Sequence, residues 1–230
     1  MRVMRLLLPI LIILALVFGP MLWVRRVMRR YSEPADRYPG TGAELVRHLA
    51  GRHGLDSLRV ERTEAGDHYD PHAGVVRLSP GNFDGCSLTA ITVAAHEFGH
   101  ALQDHEGYRP LRLRSRLVAS TRYAEKLGAA LLMGAPFLGL LSRAPSVGLM
   151  MFLGGLLSLG SATLVHAVTL PTEFNASFGR ALPILNEGEY LKPGDGPHAR
   201  RILTAAALTY VSASLMSLLN IVRWWALLRR

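Results

Sequence analysis

The chain has 230 residues, a formal charge of +9 and a composition that is 50% hydrophobic. Joined to long apolar runs, that basic balance points to membrane lipid and argues against nucleic acid as a partner. The single cysteine, Cys86, excludes an internal disulfide and any sign of an oxidising compartment; it reads as a small buried residue rather than a metal ligand.

The first apolar run, Leu6–Val24, is long enough to cross a bilayer, which takes about 20 residues. Trp23 with Arg25 and Arg26 has the look of an interfacial anchor, and no small-residue cleavage site ends the run, so it is expected to be an uncleaved signal anchor. A basic, proline-containing linker follows from Arg25 to Gly40. Thr41–Gly51 has the period of an amphipathic helix, with Ala43, Leu45, Val46, Leu49 and Ala50 on one side. Leu55–Arg62 alternates weakly, as a strand does. Asp67-His68-Tyr69-Asp70-Pro71 reads as a polar turn, Gly74–Ser79 as a short strand able to pair edge-on with a peptide, and Pro80-Gly81-Asn82 as the turn that closes it.

The stretch Ser87–Gln103 then reads as a helix with Ser87 at its N-cap. It contains His96-Glu97-Phe98-Gly99-His100. Residues four apart on a helix share a face, so His96 and His100 can meet one ion. Two neutral imidazoles suit Zn²⁺, and Glu97, beside them but not a ligand, stands where a general base would take a proton from water. Gly99 permits another segment to pack closely. Asp104, His105 and Glu106 bound the motif with charge, which places the helix in water or at a membrane surface rather than within a bilayer.

Arg109–Lys126 is basic. Three apolar stretches follow: Leu127–Leu141, Val147–Leu170 and Ile202–Val222. The first two are expected to form a transmembrane hairpin turning at residues 142–146, and the third a further span. Their glycines, serines and alanines suit close helix packing, and His166 reads as a bundle-facing polar residue. A catalytic zinc of this kind needs a third protein ligand and one open position. The best candidate is Glu173 in Leu170-Pro171-Thr172-Glu173-Phe174. Pro171 is expected to start a new helix and to place Glu173 in its first turn. Two crossings between His100 and Glu173 would return the chain to the same side. Without them, Asp104, His105 and Glu106 would be the next ligands to examine. The distribution of Lys and Arg around the expected spans places the catalytic part in the cytoplasm.

Taken together, Asp67–Pro71, Val75–Ser79, Ala94–Gln103 and Thr169–Ser177 resemble the bacterial membrane-bound neutral zinc metallopeptidases, the YugP-like membrane proteases. The matching segments fall within residues 60–180. The resemblance implies Zn²⁺ held by His96, His100 and Glu173, with Glu97 as general base. Asn175 stands where the family pattern favours Asp. Ser177 stands four residues after Glu173, where many zinc peptidases with a Glu ligand carry an Asp that orients a ligating histidine.

The expected fold is a mainly α membrane protein, with a zincin-like α+β core embedded among about four transmembrane helices. Its parts would be an anchor over 1–24, the zincin-like part over 25–126, a transmembrane hairpin over 127–170, a third-ligand helix and loop over 171–201, and a last span with a basic tail over 202–230. The expected function is a membrane-anchored zinc-dependent endopeptidase of the bacterial inner membrane, acting on a peptide or protein substrate. Its rivals are a catalytically silent zinc-binding scaffold and an intramembrane metalloprotease. His68, Tyr69, Tyr123 and Arg180 are the candidates for stabilising the oxyanion.

Overall fold

The computed structural model describes residues 18–141 and 145–209, together with 15 and 212. The chain divides into two compact units, one containing Leu113–Leu170 and the other Leu22–Arg112 with Pro171–Thr209. The second unit holds a three-stranded sheet and most of the buried core.

Within it, α1 (Gly42–Arg52) begins at Thr41. The Thr41 hydroxyl accepts from the Glu44 amide and the Glu44 carboxylate accepts from the Thr41 amide, so two of the helix's orphan donors are satisfied at once. Ala43, Leu45, Val46, Leu49 and Ala50 are buried, which is the face that the period indicated. The strands are β1 (Arg59–Arg62), β2 (His68–Asp70) and β3 (Val75–Leu78), in the order β1-β3-β2. β1 runs parallel to β3 with Arg59 opposite Val75, and β2 antiparallel with His68 opposite Arg77.

Two local expectations are corrected here. Residues 68–70 form an edge strand rather than a turn, because Asp67 is fastened from outside the segment. Its carboxylate accepts from the Ser79 amide at 2.7 Å, the Ser79 hydroxyl at 2.9 Å and the Asn82 amide at 2.9 Å. β3 is paired on both sides and is therefore the centre of the sheet, so it has no free edge for a peptide. Pro80–Phe83 closes the sheet as a short helix, α2.

The long helix α3 (Leu88–His105) is the axis of this unit. Ser87 caps it by accepting from the Ala90 amide, as expected. Every residue from Leu88 to Gln103 is buried, so the helix is enclosed all round rather than amphipathic. It packs against α1, the sheet, a π-helix at Asn175–Ala181, and the helices α6 (Leu182–Glu187) and α7 (Gly196–Ala207).

α4 runs from Arg109 to Leu141 and α5 from Pro145 to Phe174. The basic stretch and Leu127–Leu141 are thus one helix. The expectation of about four transmembrane helices is overturned: among the described residues no helix is long and apolar enough to cross a membrane. The start of the supposed last span shows why apolar composition misled. Ile202, Leu203, Ala205, Ala206 and Ala207 lie on α7, buried in the protein core instead of facing lipid. Most of Leu6–Val24, the turn at 142–144 and nearly all of 210–230 lie outside the described residues. The inference of sidedness, which counted those crossings, loses its premise.

Pro171 does not start a helix either. It sits inside α5, and Glu173 falls in the last turn of that helix, not in the first turn of another. Buried packing overrides the local signal of the proline: Thr172 and Glu173 have no exposed surface.

Candidate metal centre

Three side chains from two elements converge. His96 and His100 come from successive turns of α3 and Glu173 from the end of α5; all three are buried. Glu173 Oε2 lies 3.4 Å from His96 Nε2 and 3.2 Å from His100 Nε2. The two rings are 4.9 Å apart at their centroids and inclined at 78°. The close approach depends on Gly99. A Cβ there would lie 2.7 Å from the carbonyl oxygen of Ala176, so only a glycine lets the π-helix lie against α3 at this point.

The widened turns of Asn175–Ala181 follow directly after Glu173. The Leu182 amide donates to the Ser177 carbonyl, five residues back. Such single stretches of π-helix gather at functional sites because they re-aim side chains. Here the stretch aims Ser177 at the back of His96: its Oγ is 3.0 Å from His96 Nδ1 and 3.2 Å from the Leu203 carbonyl on α7. Behind His100, Gln103 Oε1 is 2.9 Å from Nδ1, while Gln103 Nε2 donates to the Thr172 carbonyl and to Asn175 Oδ1, each at 2.9 Å. Arg180 also donates to Asn175 Oδ1, pairs with Glu106 at 2.5 Å and lies over the Tyr108 ring at 5.1 Å.

The donor set fits a zinc ion. Two imidazole nitrogens and a carboxylate oxygen are the ligand types of a catalytic zinc. Four ligands at about 2.0–2.1 Å in a tetrahedron stand roughly 3.3 Å from one another, against the 3.2 and 3.4 Å here. Three protein ligands leave a fourth position. Glu97, also buried, follows His96 on the same helix.

The other candidates are placed elsewhere. His68 Nδ1 is 2.8 Å from the Gly66 carbonyl. Tyr69 donates to Asp104 at 2.8 Å, and its phenol is pushed upward, first by burial and then by that bond. Tyr123 is exposed on α4, in the other unit. Of the four, Arg180 alone is bonded to a residue that supports the triad. Asp104 and Glu106 are committed to Tyr69 and Arg180, and neither they nor His105 joins the cluster. Sequence reasoning missed Gln103 as a support of His100, although its spacing of three residues on a helix put it on the same face. It missed Leu203 because α7 was assigned to a membrane span.

Comparison with known proteins shows the family. A family model described as "Putative neutral zinc metallopeptidase" matches residues 6–229. A protein of Bacillus subtilis (strain 168) named "Putative membrane protease YugP" is 37% identical over 213 residues, 92% of this chain and 91% of that one. No solved structure matches the chain.

Proposed function

Since the chain belongs to the neutral zinc metallopeptidase family, we propose that it is a membrane-associated, zinc-dependent endopeptidase with His96, His100 and Glu173 as ligands and Glu97 as general base. The observation that carries this reading is the convergence of three buried side chains able to ligate one ion, with a buried glutamate next to His96 in the chain. A zinc ion in that place supplies Lewis acidity and lowers the pKa of water towards 7.

The chain's own residues supply the rest. Glu97 accepts the proton of the water that attacks the peptide carbonyl, then delivers it to the leaving amine. Burial of the triad keeps bulk water from competing for the carbonyl and strengthens every charge interaction around it. Arg180, held between Asn175 and Glu106, is the remaining candidate for an oxyanion donor. Membrane association is supported by the relative's name and by the large apolar side chains exposed on α4 and α5, among them Phe137 (75%), Leu141 (81%) and Met150 (73%).

The test compares metal content and peptide hydrolysis of purified protein with those of Glu97→Gln, which keeps shape and removes proton acceptance. The variant should hold its zinc and lose turnover by at least about 100-fold. Equal turnover in both would overturn the catalytic assignment, and zinc binding without hydrolysis in either would favour a silent scaffold.

A further inference from the structure

We propose that Ser177 and Gln103 are positioning residues that hold His96 and His100 as Nδ1–H tautomers before any metal arrives, so that both Nε2 lone pairs face Glu173. The inference rests on the zinc-site reading above and goes beyond it by saying what prepares the ligands.

The argument is one of proton counting. Leu203 O is a backbone carbonyl and can only accept. Ser177 has one hydroxyl hydrogen, which its 3.2 Å bond to Leu203 O uses. The 3.0 Å contact between Ser177 Oγ and His96 Nδ1 is then a bond only if Nδ1 carries the proton. A second chain of reasoning reaches the same result at the other ring. Thr172 O is also a backbone carbonyl, so the Gln103 atom that faces it at 2.9 Å must be the NH₂ group. Asn175 Oδ1 accepts from that same group. Gln103 therefore turns its oxygen to His100, and the 2.9 Å contact requires a proton on His100 Nδ1. Each neutral imidazole has one N–H, and these bonds claim it for Nδ1; the 3.2 Å contact of His100 Nε2 with Glu173 Oε2 is then a meeting of two acceptors, a place for a cation rather than a hydrogen bond.

Each relay ends on the backbone of a different element. The first runs from His96 through Ser177 to α7, and the second from His100 through Gln103 to the end of α5. Ring orientation is thereby set by two points of the backbone outside α3. A serine performs at His96 the orienting task that many zinc peptidases with a Glu ligand give to an aspartate four residues later. Unlike a carboxylate, it adds no charge, so the triad's only anionic ligand remains Glu173.

The test uses full-length, metal-free protein labelled with ¹⁵N-histidine at alkaline pH, where two-bond ¹H–¹⁵N correlations identify the protonated ring nitrogen. Both histidines should appear as Nδ1–H tautomers in the wild type. Ser177→Ala should let His96 populate both tautomers and leave His100 as it was; Gln103→Leu should do the converse. Each should weaken zinc binding about 10–100-fold, as expected on loss of a ligand's hydrogen-bonded support. Gln103→Glu keeps an acceptor at Nδ1 and should restore the His100 tautomer. An Nε2–H tautomer at either ring of the wild type overturns the proposal without need of a variant. So does tight zinc binding with unchanged tautomers in both variants, which would leave the zinc reading standing. Fixed tautomers in a protein that takes up no zinc would instead sink the zinc reading alone.

Discussion

Two imidazole nitrogens and a carboxylate oxygen that meet within 3.2–3.4 Å at one buried place leave an imbalance of charge that a proton or a cation must fill. That imbalance is what makes Glu173 the decisive residue. It carries the one formal charge among the three ligands, and it has no exposed surface through which water could solvate it. Glu173→Gln keeps the shape and removes the charge. It should lower zinc affinity by at least about 100-fold, or about 2.7 kcal/mol, and a zinc titration followed by calorimetry checks this. The histidines and Glu97 were legible in sequence because their spacing is itself the geometry. Glu173 was legible as a member of the cluster but not as to its setting. A proline usually opens a helix, and only the packing of residues 171–173 reveals that this one lies within a helix.

At the scale of elements, the site depends on how closely the π-helix lies against α3. Gly99→Ala places a methyl group 2.7 Å from a backbone oxygen that has no rotamer to yield. The variant should lose about 1–3 kcal/mol of stability by overpacking, and zinc affinity should fall with it as Ser177 and Glu173 are pushed away; thermal unfolding and zinc titration measure the two. The sequence already marked Gly99 as a point of close approach. It could not mark α7, because an apolar helix of the core and one facing lipid have the same composition; they differ only in what lies beside them. Leu203 decides between the two. Fully buried in the core, it should cost roughly 2–5 kcal/mol on truncation to alanine, measured by chemical denaturation. A change below about 0.5 kcal/mol would return the residue to a lipid-facing role.

Across the unit that holds the site, early and late parts of the chain are clasped by one buried carboxylate. Asp195, just before α7, accepts two bonds of 2.7 Å from Arg37 and one of 2.5 Å from Tyr38. Burial pushes its pKa up, but the bonds from Arg37 and Tyr38 outweigh it and hold the group below its ordinary 3.8. A depressed carboxylate adds stability in full above its unfolded pKa, and this is lost as pH falls through the folded value. Asp195→Asn should therefore be less stable than wild type by roughly 2–3 kcal/mol at neutral pH, with the gap closing below about pH 4. Tyr38, pushed up to about 12 by burial and then by its bond to Asp195, gives the alkaline counterpart. Its contribution is full below its ordinary 10 and is lost as pH rises towards 12. Urea unfolding across the pH range reads both limbs. Nothing in the sequence joins residues 37 and 195, because neither period nor motif links positions so far apart.

The central claim is that one zinc ion is held by His96, His100 and Glu173, and X-ray absorption at the zinc edge of the full-length protein loaded with one equivalent tests it most directly. The account predicts a first shell of nitrogen and oxygen only, at about 2.0–2.1 Å, with outer-shell scattering from two imidazoles and none from sulfur. A zinc–sulfur distance of about 2.3 Å, which would implicate Cys86, or the same two-imidazole spectrum from His96→Ala, would contradict it.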